Sequence, residues 1–208
     1  MSRLDRARII LAFLGTGALP FTVRGETPAQ PKTVTLVVAF DESKAEPQVV
    51  AALQSELAEI WRSESVKLDW RPIESIHPGD SFEDLVVVHF KGDCRVRPDE
   101  WLASHAFLID ERGPQSPGPF AYSSTVDGHV QPFSSVLCNR VERSVESAMQ
   151  VDQRRFAESL FGRALGRVLS HELYHILNQT RQHQHQGLAK ASLTGEQLIA
   201  PHFRFAEE

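Results

Sequence analysis

The chain contains a long helical pattern that ends in the five residues HELYH, numbered 171–175. Before this motif, apolar residues recur at three- and four-residue spacing, and they are Phe156, Leu160, Phe161, Ala164, Leu165, Val168 and Leu169. This periodicity predicts a helix that buries one face. Gly162 and Gly166 lie four residues apart on it, where glycine costs stability, and so predict a close neighbour. On such a helix His171 and His175 lie one turn apart on the same side, beside Glu172.

A metal ion is the ligand that this arrangement predicts. Two neutral imidazoles at this spacing can reach one ion, and catalytic zinc usually takes a third protein ligand and leaves one position for water. The helical pattern breaks near Asn178, whose tolerance of left-handed backbone suits a helix end, so the chain can turn back. We expect His183 to be the third ligand, with His185 and Glu196 as alternatives. Glu196 also fits the first turn of a short last helix, where the helix dipole favours a carboxylate.

The length of the chain indicates how many domains it forms, and its charge indicates which partners are unfavourable. The chain has 208 residues and a formal net charge of -5, and it lacks a long block of Lys and Arg. This length suits one domain with a substantial core. The charge argues against nucleic acid as a partner.

The first 25 residues have the layout of a signal peptide. Arg3, Arg6 and Arg8 precede an apolar run over residues 9–21, as in an export signal. The run is shorter than the roughly 20 residues that span a bilayer. We therefore expect a secreted or periplasmic protein with no stable membrane anchor after cleavage.

The expected cleavage site and domain limits follow. Val23 and Gly25 fit the small-residue rule for cleavage, and no Cys lies near them to carry a lipid. We expect residues 1–25 to be removed, residues 26–32 to form a flexible lead-in, and residues 33–208 to form one domain.

Two cysteines, Cys94 and Cys138, are the complete set in this chain. In an oxidising compartment an even pair favours a disulfide over two separate buried thiols. The bridge would close a loop of more than 40 residues, which stabilises a fold by about 3 to 4 kcal/mol in the chain-entropy model.

Strands and helices alternate in the first half of the expected domain. Residues 33–40 form an almost continuous apolar run, typical of a central strand covered on both faces. Pro47 suits the first turn of an amphipathic helix, and residues 66–70 and 84–90 have strand patterns. Strand, helix and strand in this order predict a right-handed crossover and a parallel pair.

A hairpin is the clearest prediction beyond the middle of the chain. AYSSTV and HVQPF flank Asp127 and Gly128, a strong signal for a tight turn between antiparallel strands. Pro132 predicts that the second arm is an edge strand or a bulged one. Residues 105–110 are a further short strand candidate.

The segment HELYHILNQTRQH, residues 171–183, resembles the HExxHxxGxxH signature of the metzincin branch of the zincin metallopeptidases. It departs from the signature in two places, since Asn178 replaces the glycine and the third histidine comes two residues late, at His183. No methionine follows Met149, so the Met-turn of the family is missing. The chain is similar to a metzincin-like side branch found among uncharacterised exported bacterial proteins.

The resemblance implies a fold and a reaction. The fold would be α+β and zincin-like, with a mixed twisted sheet whose edge hairpin packs on a long zinc helix. Zn²⁺ would be held by His171, His175 and His183. A zinc-bound water, with Glu172 as general base, would hydrolyse a bond in a peptide or protein substrate.

The oxyanion formed in such a reaction would need a further donor, and a phenol or imidazole can serve. Tyr122, Tyr174 and His185 are the candidates.

Two other functions are alternatives to catalysis. One is an exported domain that binds zinc without turnover, against which Glu172 argues because a structural zinc site has no use for a base. The other is a metal-free interaction domain whose edge hairpin pairs with a partner chain.

Overall fold

The described residues form a fold of the α+β class, with one mixed five-stranded sheet and helices packed on it. A computed structural model describes residues 32–40, 45–96 and 118–206. The strands are β1 (Lys32–Phe40), β2 (Val66–Pro72), β3 (Leu85–Lys91), β4 (Ala121–Val126) and β5 (His129–Leu137). The helices are α1 (Pro47–Ser63), α2 (Cys138–Ala148), α3 (Ala157–Leu177) and α4 (Gly195–Ile199). Short 3-10 turns cover Ile73–Ser75 and Val151–Phe156.

Strand β1 lies in the interior of the sheet, whose order is β2-β1-β3-β5-β4. It pairs in parallel with β2 on one side and β3 on the other. Its residues 34–38 are all buried, as expected of a strand covered on both faces. The predicted central strand, the helix that begins at Pro47 and the parallel pair are therefore confirmed.

The hairpin between β4 and β5 is also confirmed. Asp127 and Gly128 both have positive φ, 50° and 82°, which suits the tight turns that favour hairpins. Of the two alternatives predicted for the second arm, an edge strand or a bulged one, the bulged strand is the one present. Strand β5 is an inner strand, because residues Phe133 to Leu137 pair in parallel with β3. Pro132 lies before that ladder, where three residues of β5 stand opposite one of β4, so it occupies a bulge and removes no sheet hydrogen bond.

The two longest of the described helices, α1 and α3, pack closely through the two glycines. A Cβ on Gly162 would overlap the carbonyl oxygen of Val49, and one on Gly166 would lie 3.0 Å from that of Leu53. The close neighbour predicted from these glycines is therefore α1. Phe156 was wrongly placed on the buried face. It lies one residue before α3 begins, is 51% exposed and packs against the guanidinium of Arg155.

A disulfide joins Cys94, after β3, to Cys138, the first residue of α2. Both residues are fully buried, and the predicted bridge is confirmed. It ties the start of α2 to the end of a central strand.

Several expectations concern residues outside the described ranges. The signal peptide over residues 1–25, most of the lead-in and the strand candidate at 105–110 are among them. Within residues 32–40, 45–96 and 118–206, no helix is long and apolar enough to cross a membrane. Export stays a prediction.

Candidate metal centre

The motif at residues 171–175 lies on the last two turns of α3. The helix ends in a Schellman motif, in which the amide of Thr180 donates to the carbonyl of His175 and that of Gln179 to the carbonyl of Ile176. The left-handed residue is Gln179, with φ 49°, and Asn178 has φ -92°. The predicted helix end is confirmed, since α3 ends at Leu177 and Asn178 caps it. The left-handed conformation, however, lies one residue later, at Gln179.

This reversal brings His183 back to the motif. The ring nitrogens of His171, His175 and His183 lie within 4.8 Å of one another, so the three side chains can hold one metal ion. The ring of His183 lies 5.2 Å from that of His171 and 4.8 Å from that of His175, between centroids. In the described part of the chain, His185 and Glu196 do not belong to this group.

Backbone carbonyls fix the orientation of the two helical imidazoles. The Nδ1 atom of His171 lies 2.7 Å from the carbonyl oxygen of Leu188, and that of His175 lies 2.8 Å from the carbonyl oxygen of Thr180. A carbonyl only accepts, so both Nδ1 atoms carry the proton and both Nε2 atoms present a lone pair. Metal-binding histidines are commonly oriented in this way.

The two Nε2 atoms face each other at 3.1 Å. Two lone pairs at this distance repel, and a cation placed between them converts the repulsion into two bonds. The arrangement therefore fits a metal ion on chemical grounds. Burial lowers the pKa of His171 and of His175, which keeps both rings in the neutral form that binds metals.

The carbonyl of Leu188 is held in place by the last residues of the described chain. The amide of Leu188 donates to the carbonyl of Arg204 at 3.0 Å, and its side chain is fully buried. Gly187 has φ 68°, and a Cβ there would lie 2.7 Å from the same Arg204 carbonyl. Only glycine fits this close approach in this conformation.

Glu172 is the buried carboxylate of the site, with 5% of its surface exposed. The hydroxyl of Ser123, on β4, donates to its Oε2 at 2.6 Å. Burial raises the pKa of Glu172, and the bond from Ser123 and the nearby histidines lower it in part. The site thus joins α3 to the outer strand of the hairpin.

The other sequence candidates lie in different settings. The hydroxyl of Tyr122 accepts a hydrogen bond from Lys91 at 3.0 Å, and its side chain points to the opposite face of β4 from Ser123. Tyr174 packs edge-on against His175, with ring centroids 5.4 Å apart. His185 is exposed. Glu196 lies in the first turn of α4, as its alternative interpretation predicted.

A cleft of about 1020 Å³ opens beside His171 and Glu172. Its described walls come from the start of β4, from α2, from α3 and from the segment between His183 and α4. The buried carboxylate and one of the three histidines therefore face a space large enough for several residues of a peptide.

No family model, curated protein or solved structure matches this chain. The resemblance to zincins accordingly rests on residues 171–183.

Proposed function

We propose that this chain is an exported zinc-dependent peptidase with a zincin-like catalytic domain over residues 33–208. His171, His175 and His183 would hold Zn²⁺, and Glu172 would act as general base. The observation that carries the proposal is a buried carboxylate on a cleft wall, next in sequence to one of three converging histidines.

Zinc is the metal that suits this donor set best. Neutral imidazoles are borderline ligands that favour zinc over the oxygen-seeking magnesium and calcium. Three protein nitrogens also leave a coordination position open. When bound, zinc would supply a Lewis acid for water and for a substrate carbonyl.

Glu172 has the environment of a general base. Its burial raises its pKa, which moves a carboxylate toward the pH range where it both accepts and returns a proton. Ser123 donates to Oε2 and leaves Oε1 to take a proton from water in the cleft. The same carboxyl would then pass this proton to the leaving amine.

Strand β4 offers a mode of peptide binding. Among the described strands it has a neighbour on one side only, which is β5. An extended peptide can pair with such an edge through its backbone. Phe120, just before β4, and Ala121, its first residue, line the cleft, so a peptide paired there would run past Glu172.

The test compares wild-type protein with Glu172→Gln, both purified without chelators and loaded with zinc. We expect equal zinc content, cleavage of a mixed peptide library by wild type, and a loss of cleavage of at least about a hundredfold in the variant, the usual lower range for a lost general base. Zinc binding without cleavage by wild type would favour the non-catalytic metal domain. Equal cleavage by both proteins would remove Glu172 from the mechanism.

A further inference from the structure

Three basic side chains face the cleft that holds His171 and Glu172. Arg140 and Arg143 come from α2, and Lys190 comes from the segment after His183. Glu172 is the only carboxylate among the described residues that line this cleft. The described lining therefore carries more positive than negative charge.

The charge of the cleft contrasts with that of the whole chain, whose formal net charge is -5. The surplus of cations thus is local and does not reflect a generally basic surface. Clefts lined by one sign of charge concentrate the field and attract ligands of the opposite sign.

The basic residues of the cleft differ from other arginines of this protein, which form ion pairs. Arg167 is fully buried and bonds Glu56 at 2.8 Å, and Arg204 bonds the same carboxylate at 3.0 Å. No ion pair within the described ranges involves Arg140, Arg143 or Lys190.

The two arginines belong to a polar helix face. Arg140, Arg143, Ser144 and Ser147 line the cleft at three- and four-residue spacing on α2, and so share one side of the helix. Val141 and Val145 are fully buried on the other side. The Nη1 atom of Arg140 donates to the carbonyl of Pro119 at 3.4 Å, which ties its guanidinium to the cleft wall. Guanidinium groups match carboxylates in shape and charge and bind them through two parallel hydrogen bonds.

We propose that this cleft selects peptide substrates that carry a carboxylate next to the scissile bond, bound by Arg140, Arg143 and Lys190. The inference rests on the proposed peptidase function. The carboxylate belongs either to an Asp or Glu side chain or to the end of the peptide, and both present the same group to the arginines.

The experiment uses matched fluorogenic peptides that differ by Glu against Gln at positions flanking the cleaved bond. Each is made with a free and with an amidated C-terminus. For wild type we expect kcat/KM to be at least about tenfold higher for the carboxylate-bearing peptide. The preference should shrink as salt rises, because mobile ions screen partly exposed charges. A preference for Glu over Gln identifies a side-chain carboxylate as the group that is bound, and a preference for the free over the amidated C-terminus identifies the terminal carboxylate.

Charge variants test the assignment to these residues. We expect Arg143→Gln to reduce the preference, measured as the ratio of kcat/KM for the charged to the neutral peptide, to about threefold or less, and the double variant Arg140→Gln/Arg143→Gln to abolish it. Arg62→Gln removes the same charge on α1, outside the cleft, and should keep the full preference.

Binding separates this inference from the proposed function. The same peptides are titrated against the zinc-loaded Glu172→Gln protein by fluorescence anisotropy, and Arg143→Gln is added to that background. Tighter binding of carboxylate peptides that requires Arg143 supports the inference even if wild type cleaves nothing. Cleavage of all peptides without preference leaves the peptidase proposal standing and overturns the inference, as does a preference that survives in the double variant.

Discussion

Removal of the Ser123 hydroxyl tests the role of Glu172 through its protonation. The hydroxyl donates to Oε2 of Glu172 at 2.6 Å, and this bond stabilises the ionised form of the carboxyl. Since Glu172 is only 5% exposed, water cannot readily replace the lost donor. Ser123→Ala therefore raises the pKa of Glu172 further.

The size of the effect follows from the strength of such a bond. A hydrogen bond to a charged group contributes about 1.5 to 3 kcal/mol net. The protonated carboxyl can also bond the hydroxyl, so the lower end applies and corresponds to about a tenfold change in an equilibrium. A base with a raised pKa stays protonated to higher pH. On the acidic side of the pH profile, kcat/KM of Ser123→Ala should thus fall about tenfold, while at higher pH it should return toward the wild-type value.

The measurement is the pH dependence of kcat/KM for wild type and variant at equal zinc content. Ser134→Ala is the matched control, because Ser134 is the cross-strand partner of Ser123 and is 3% exposed, yet its hydroxyl donates to the carbonyl of Tyr122. If the acidic limb stays in place in Ser123→Ala, or moves equally in Ser134→Ala, the Ser123 hydroxyl does not set the protonation of a catalytic Glu172.

Three further predictions concern stability and metal retention. Gly162→Ala should lower the free energy of unfolding by about 1 to 3 kcal/mol, because the added methyl overpacks against α1. Gly166→Ala should lower it by less. A larger loss for Gly166→Ala in denaturant titration would contradict this prediction. Cys94→Ala/Cys138→Ala removes a disulfide between residues 44 apart and should lower the free energy of unfolding by about 4 kcal/mol. An unchanged denaturant midpoint would contradict this. Burial lowers the pKa of His171 and His175 below the ordinary value of 6.5, so protons should displace bound zinc only in more acidic solution. The measurement is the release of zinc to a chelating dye as the pH is lowered. Release of half the zinc above pH 6.5 would contradict the prediction.

Local patterns predicted most of the elements. The apolar run of β1, the period of α1 and the Asp127-Gly128 turn each depend on a few neighbouring residues, and each is present. The spacing of Gly162 and Gly166 also predicted close packing, though it did not name the partner helix.

The sequence was less informative where contacts with residues distant in the chain decide the position or conformation of a residue. Pro132 left an edge strand and a bulged strand open, and only the pairing of β5 with both β3 and β4 shows that the strand is inner and bulged. Phe156 matched the helical period and is exposed, because α3 begins one residue later. Asn tolerates left-handed backbone better than most residues, but Asn178 is the right-handed cap of the helix and Gln179 takes the left-handed conformation of the Schellman motif.

The sequence predicted the three histidines of the site, but not the groups that form hydrogen bonds with the site residues. The turn after α3 brings His183 to the motif, as the spacing suggested. Ser123 lies 49 residues before Glu172, and no pattern joins them. The carbonyls of Thr180 and Leu188 that orient the imidazoles carry no side-chain signal at all.

Anomalous diffraction at the zinc edge, from crystals of protein purified without chelators, would show directly whether His171, His175 and His183 hold zinc. We expect one strong peak about 2.0 to 2.1 Å from a ring nitrogen of each of His171, His175 and His183, with Glu172 outside bonding distance. A peak bound by His185 or Glu196 in place of His183, or none at this position after zinc is supplied, would contradict the account.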